Sequence, residues 1–197
     1  MQDNDQIRAR LREKRRVLDE LTQRDAADDL HTQIVRSGLL DDVDKIALYL
    51  ANDGEIDPSV TLNHTLSLGI SCFLPAIDSS EKSTLVFCRY RENDTLQPNQ
   101  YQIPEPIDRD ETIDVSQLNL IFVPLVGFDR QGNRLGMGGG YYDRAFSDLK
   151  RSGQKDRHGP LLIGLAHSFQ EVERLDTRLW DVPLDGFVTE REFIQVK

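Results

Sequence analysis

Leu118-Asn-Leu-Ile-Phe-Val-Pro124, followed at a short distance by Arg134-Leu-Gly-Met-Gly-Gly-Gly-Tyr-Tyr-Asp143, is the stretch on which the fold turns. The first segment is a short apolar run and reads as a buried strand. Residues 141–150 read as a helix. Between them, Gly136, Gly138, Gly139 and Gly140 place four glycines in five positions. A backbone so unhindered can turn its N–H groups inward and bring them close to an anion. The helix adds the positive end of its dipole. Arg134 adds a fixed charge on a planar fork that suits phosphate oxygens. Strand, glycine loop and helix together predict a phosphate cradle. A tight strand-to-helix connection would also use glycine. Three consecutive glycines, however, carry more chain entropy than a plain turn needs. Cationic, aromatic and acidic side chains also bracket them closely. The pattern is not a P-loop, because no Gly-Lys-Ser/Thr follows, and its glycine spacing is not the dinucleotide fingerprint.

Outward from the cradle, strands alternate with helices. Residues 44–50, 69–75, 84–91, 161–166 and 184–190 read as strands, the last of these closing the chain. The alternating stretch 84–91 predicts an antiparallel excursion, and residues 101–106 are extended because each proline restrains its predecessor. Residues 5–24, 25–40 and 58–68 read as helices. This alternation predicts an α/β fold, three-layered, with a Rossmann-like, mainly parallel sheet in a single domain over 1–197. Residues 51–58 form a turn-rich loop at the C-terminal end of a strand, the edge where open α/β sheets bind ligands. Taken alone, Glu55 in that loop reads as an exposed acid. His167, at the end of another strand, reads as a structural hydrogen-bonder. Trp180 is expected to anchor its loop on the core.

In the first helix, Ile7, Leu11, Leu18 and Leu21 share one face, interrupted by Lys14. Arg8, Arg12 and Arg15 or Arg16 fall on an adjacent stripe. A charge run is first a solvated face, here balanced by Glu13, Asp19 and Glu20. It is also the densest positive patch in a chain with 24 basic and 34 acidic residues, net charge −10. That balance argues against non-specific nucleic-acid and anionic-membrane binding, and an anionic ligand needs its positive charge concentrated locally. The N-terminus has no apolar h-region and no apolar run reaches membrane-spanning length. Cys72 and Cys88 lie in apolar strand-like stretches and read as buried thiols. The expectation is a cytoplasmic monomer. No Ser/His/Asp or Cys/His set stands out.

Phe122-Val-Pro-Leu-Val-Gly-Phe-Asp-Arg-Gln-Gly-Asn-Arg-Leu-Gly-Met-Gly-Gly-Gly-Tyr-Tyr-Asp-Arg144 resembles the signature of the 5-formyltetrahydrofolate cyclo-ligases, also called 5,10-methenyltetrahydrofolate synthetases. The run Ile7-Arg-Ala-Arg-Leu-Arg-Glu-Lys-Arg-Arg-Val-Leu18 is similar to that family's opening helix, and Leu50-Ala-Asn-Asp-Gly-Glu-Ile-Asp57 to its folate-binding segment. The resemblance implies a sheet related to ribose-5-phosphate isomerase and CoA-transferase domains. It implies an ATP- and Mg²⁺-dependent ligase that converts 5-formyltetrahydrofolate to 5,10-methenyltetrahydrofolate, with ADP and phosphate. The formyl oxygen would be phosphorylated and N10 would then attack. Carried onto this chain, ATP would meet Arg8, Arg134, Leu135, Gly136, Met137, Gly138, Gly139, Gly140, Tyr141 and Tyr142. Asn4 stands where the family has a lysine, and Arg12 could compensate from the same face. Arg134 and Tyr142 would be catalytic. Leu50, Glu55 and Tyr101 would bind the folate, Glu55 through pterin N–H donors. Asp143 and Asp185 would hold the metal. A non-catalytic binder of a phosphorylated metabolite is the alternative from another class.

Overall fold

The computed structural model describes residues 3–78, 84–151 and 159–196. The chain opens with helices α1 (Asn4–Arg16) and α2 (Glu20–Arg36). The single helix expected over 5–24 is therefore two. The Asp19 carboxylate accepts the Thr22 N–H at 2.7 Å, an N-cap that starts a new helix inside the amphipathic pattern. Ile7 and Leu11 are buried as expected, whereas Leu21 is 59% exposed.

There follow β1 (Lys45–Ala47), α3 (Ser59–Ser67), β2 (Ser71–Ile77) and β3 (Leu85–Tyr90). β4 (Leu96–Pro98) and β5 (Pro104–Pro106) pair with each other, and β6 (Thr112–Ile113) lies along β3. β7 (Leu120–Pro124) runs into a small hairpin of β8 (Gly127–Phe128) and β9 (Arg134–Leu135). The helix expected over 141–150 is broken into α4 (Tyr141–Ala145) and α5 (Ser147–Arg151). Last come β10 (Leu161–Leu165), β11 (Gly186–Val188) and β12 (Phe193–Gln195). β12, not the strand near 184–190, closes the chain, and it folds back antiparallel on β11.

The main sheet has the order β12-β11-β10-β7-β1-β2-β3-β6. Its central strands, β11 through β2, are parallel, while β12, β3 and β6 are antiparallel additions at the edges. The mainly parallel sheet and the antiparallel excursion at β3 are thus as expected. Alternate residues go to opposite faces. Ile46, Leu120, Phe122 and Ile163 pack with Leu30, Ile34 and Leu62 of α2 and α3. Their neighbours Ala47, Ile121, Val123 and Leu162 pack with Phe128 and Phe146 on the other side. Both faces are covered, which is why these strands read as continuous apolar runs. Cys72 and Cys88 are buried free thiols. Among the described residues no helix is long and apolar enough to cross a membrane.

β1 and β7 are neighbours, with Ile46 opposite Leu120 and Ala47 opposite Ile121. From β1 the chain moves to β2 on one side, and from β7 it moves to β10 on the other. Strand order reverses between them, so their C-terminal ends border a crevice.

Candidate active site

Two loops flank that crevice, and α1 lies against both. The loop after β1 carries Asp53, Gly54 and Glu55. The chain after β7 passes through the hairpin and ends in the glycine stretch. Arg8 donates from Nε to the Gly136 carbonyl at 2.9 Å, and Arg144 donates from Nη2 to the Gly139 carbonyl at 2.8 Å. Two arginines thus grip carbonyls of the cradle and fix its peptide planes. Gly138 and Gly140 have φ of +96° and +67°, values that strain any residue with a Cβ. A Cβ on Gly138 would meet no described atom within 4 Å, so this stretch is open on the side a ligand would approach. α4 begins at Gly140 but spans only five residues. Its dipole is correspondingly smaller than a helix over 141–150 would have supplied.

Arg134 is the buried cation of the cradle, its side chain only 6% exposed. Its Nη2 donates to Asp143 Oδ1 at 2.6 Å, while its Nε–H is buried with no acceptor among the described residues. A buried guanidinium N–H without a partner is costly, and a ligand oxygen would relieve that cost. Leu135 is buried at the end of β9, and Met137 is half-exposed. Tyr141 bonds through its hydroxyl to the Tyr101 hydroxyl at 3.0 Å, with the rings edge to face. The two tyrosines therefore form one wall at the rim. Tyr142 lies deeper. Burial pushes its hydroxyl well above the usual range, the Glu55 carboxylate adds to that, and Arg134 opposes it. Tyr142 therefore remains a neutral donor, and its titration is sensitive to both Glu55 and Arg134.

The acidic loop is held by three arginines of α1. Arg12 and Arg16 donate from Nε to the Asp53 carboxylate, the former at 2.9 Å. Arg15, wholly buried, donates to the Asp53 carbonyl at 2.7 Å and to its carboxylate at 2.8 Å. Burial alone would raise the Asp53 pKa, but the three guanidinium bonds outweigh it and hold the group at about 2. Glu55 is the opposite case. Burial raises its pKa to about 7, against the pull of Arg15 and of a hydrogen bond from Asn52 N–H. Leu50, at the root of this loop, is partly buried against the core. The structure therefore gathers Arg8, Leu50, Glu55, Tyr101, Arg134, the glycines, Tyr141, Tyr142 and Asp143 around one crevice.

Three expectations are displaced. Asn4 bonds through its amide to the Asp176 carbonyl at 2.8 Å. Arg12, the candidate substitute for the missing lysine, is engaged with Asp53. Asp185 is not beside Asp143: its carboxylate accepts the Leu162 N–H at 3.0 Å, near the start of β10 and the opposite end of the sheet. The loop that reaches Asp143 is that of Asp181: Val182 donates its N–H to Asp143 Oδ1 at 3.3 Å, while the Asp181 carboxylate accepts the Arg178 N–H at 2.7 Å. Trp180 does not anchor its loop on the core; it is 62% exposed and stacks under the Arg178 guanidinium. His167 is buried; its backbone N–H bonds to Gln170 Oε1 at 2.8 Å, while its ring Nε2 is buried with no partner among the described residues. Sequence reasoning passed over Asp53 and left Arg15 interchangeable with Arg16. The closely spaced arginines were the available signal, since so dense a cationic stripe implies a nearby anion. Nothing in the sequence marked Asp181 over Asp185.

This is an open α/β domain with a glycine-loop site at its switch point. The sequence profile of the 5-formyltetrahydrofolate cyclo-ligase family matches residues 1–190, and the chain belongs to that family. It is 34% identical over 184 residues to the 5-formyltetrahydrofolate cyclo-ligase of Haemophilus influenzae, covering 93% of this chain and 95% of that protein. It is 32% identical to the Escherichia coli (strain K12) protein of the same name, over 91% of this chain and 96% of the relative. The solution structure of Aquifex aeolicus 5,10-methenyltetrahydrofolate synthetase superposes with a TM-score of 0.81 at 30% identity, covering 98% and 93% of the two chains. The Mycoplasma pneumoniae 5,10-methenyltetrahydrofolate synthetase gives 0.73 at 25% identity, covering 96% and 100%.

Proposed function

We propose that this chain is an ATP- and Mg²⁺-dependent ligase that converts 5-formyltetrahydrofolate to 5,10-methenyltetrahydrofolate, with ADP and phosphate as co-products. The observation that carries the reading is the unpartnered Nε–H of buried Arg134 within a glycine cradle that Arg15 links to Glu55. A formamide oxygen is a poor leaving group. Phosphorylating it lets N10 attack the formyl carbon, after which phosphate departs with that oxygen and N10 loses its proton. Arg134 and the N–H groups of the cradle would meet the negative charge on the transferring phosphoryl oxygens. Arg8 and Arg144 would keep those N–H groups oriented. Tyr142 would offer a neutral O–H between Glu55 and Arg134, where the formyl oxygen meets the phosphoryl group. Glu55 would accept pterin N–H donors, and Leu50 and Tyr101 would pack on the ring system.

Among the described residues no three His, Cys, Asp or Glu come together as a metal cage. A hydrated Mg²⁺ needs no such cage, since it takes one or two carboxylates and completes its shell with waters and phosphate oxygens. Asp143, with Asp181 on the loop whose Val182 N–H reaches it, would supply those carboxylates. When bound, the ion would neutralise charge on the phosphates. The test is turnover: purified protein with Mg-ATP and 5-formyltetrahydrofolate forms methenyltetrahydrofolate, followed by its near-ultraviolet absorbance. A folded sample that binds nucleotide and forms no product would favour the binder instead, a reading supported by the engagement of the Asn4 amide with Asp176.

A further inference from the structure

Arg15 was not among the expected ligand contacts, yet it is the largest fully buried side chain in the protein. Its single guanidinium touches three separate segments. Nε and Nη2 bond Asp53 at 2.7 and 2.8 Å, and Nη1 bonds the Leu125 carbonyl, just beyond β7, at 3.2 Å. Nη2 also lies 3.7 Å from Met137 Sδ in the cradle and 3.8 Å from Glu55 Oε1. The backbone of Arg15 is packed as closely, since a Cβ on Gly54 would fall 2.6 Å from the Arg15 carbonyl oxygen. A buried charge with this many partners is retained where position matters, because well-packed apolar residues would often serve stability equally well.

We propose that Arg15 is the positioning residue of the folate site: it locks the Asp53–Glu55 loop against the cradle and sets its guanidinium beside the Glu55 carboxylate that would meet the pterin. The proposal rests on the reading of Glu55 as the pterin acceptor. The titratable groups around Glu55 come from five parts of the fold. Arg15 reaches it from α1 and Asp53 from its own loop. Tyr49 lies at the end of β1 and Tyr142 comes from α4, both neutral because burial raises their hydroxyls. His167, beyond β10, faces Gly54 and Arg15, and burial lowers its pKa, so it contributes no competing charge near neutrality. Arg15 is thus the cation that opposes both desolvation and Asp53. With it, Glu55 titrates near pH 7; without it, the carboxyl keeps its proton to higher pH. The charge-assisted bonds to the pterin are then lost, although the side chain remains in place.

The experiment is calorimetric titration with 5-formyltetrahydrofolate across pH 5.5 to 9, on full-length protein without ATP. Wild type is expected to lose affinity on the acid side of a limb near pH 7. In R15Q the limb moves to higher pH by about one unit or more, while R15K, which keeps the charge, leaves it within about half a unit. An unmoved limb in folded R15Q, or equal movement in R15Q and R15K, would overturn the proposal. Should R15Q not fold, R15M carries the test, since it removes the charge and leaves an apolar chain in the buried site. The limb moves to higher pH in R15M as well; an unmoved limb overturns the proposal there too. Glu55→Gln separates the two readings. If it abolishes the limb while R15Q leaves it unmoved, only the role of Arg15 falls. If the limb survives Glu55→Gln, the reading of Glu55 falls and takes the proposal with it.

Discussion

Arg134 and Asp143 meet through one contact, Nη2 to Oδ1 at 2.6 Å, and the pairing leaves the Arg134 Nε–H buried and unbonded among the described residues. The guanidinium is anchored at one end and open at the other. Arg134→Ala should therefore lower turnover by ~10²-fold and weaken ATP binding, because the donor meets charge that develops in the reaction. Arg134→Lys keeps the charge but not the fork and should recover only part of the loss. Steady-state kinetics and nucleotide titration, with a thermal melt to confirm folding, decide it. Wild-type kinetics in Arg134→Ala would reduce this residue to a structural partner of Asp143.

Gly138→Val should weaken nucleotide binding by ~10-fold or more. The backbone there is in the left-handed region, at φ +96°, and the new side chain would occupy the open side of the cradle. Gly69 provides the control, since its φ is +76° and a Cβ there also meets no described atom within 4 Å. Gly69→Val should lose comparable stability, ~1–3 kcal/mol, and keep nucleotide affinity. Equal affinity loss in both variants would show that strain, and not the cradle, was being measured.

The acids predict a ranking in magnesium demand. Asp143→Asn and Asp181→Asn should raise the Mg²⁺ concentration for half-maximal turnover by ~10-fold. Asp185→Asn should leave it nearly unchanged. Its effect should instead appear in thermal stability, since Asp185 caps the Leu162 N–H. A Mg²⁺ titration in which Asp185→Asn shows the largest shift would return the metal to the far end of the sheet.

Acid should loosen the grip of α1 on the loop after β1. Asp53 has its pKa lowered from 3.8 to about 2 in the folded protein by bonds from Arg12, Arg15 and Arg16, against the opposing effect of burial. The sign follows from linkage: a depressed carboxylate adds stability above its unfolded pKa and loses it as pH falls through the folded one. The contribution is on the order of 1 kcal/mol after allowing for solvent screening. Denaturant melts should show Asp53→Asn less stable than wild type at pH 7, with the gap closing between about pH 4 and 2. A gap that does not depend on pH would assign the loss to shape, not charge.

The central sheet was legible because β7 and β10 are buried on both faces and so read as unbroken apolar runs. The cradle was legible because four clustered glycines have few other uses. Where reading failed, a local bond overrode a periodic pattern. Asp19 capped α2 within what looked like a continuous helix. α4 stops after five residues at Phe146, whose side chain is buried in the core. Asp181 and Asp185 lie four residues apart, and the Val182 N–H on Asp143 and the Leu162 N–H on Asp185 tell them apart. Such a contact is set by tertiary packing, so neither spacing nor composition encodes it. Trp180 misled for a related reason: its ring area suggested the core, yet Arg178 provides it a partner at the surface.

The pairing of Ile46 with Leu120 joins strands that are distant in the chain. During synthesis the Glu55 loop emerges long before the glycine stretch, and the crevice needs β7 to pair with β1. Contacts of such long sequence separation are slow to form. Any ligand spanning the two loops can therefore recognise only the finished sheet. It cannot assist the early steps of folding, but it stabilises the completed molecule in proportion to its own saturation. Ligand supply would then set how long a finished copy survives, while leaving unchanged the rate at which new copies are completed.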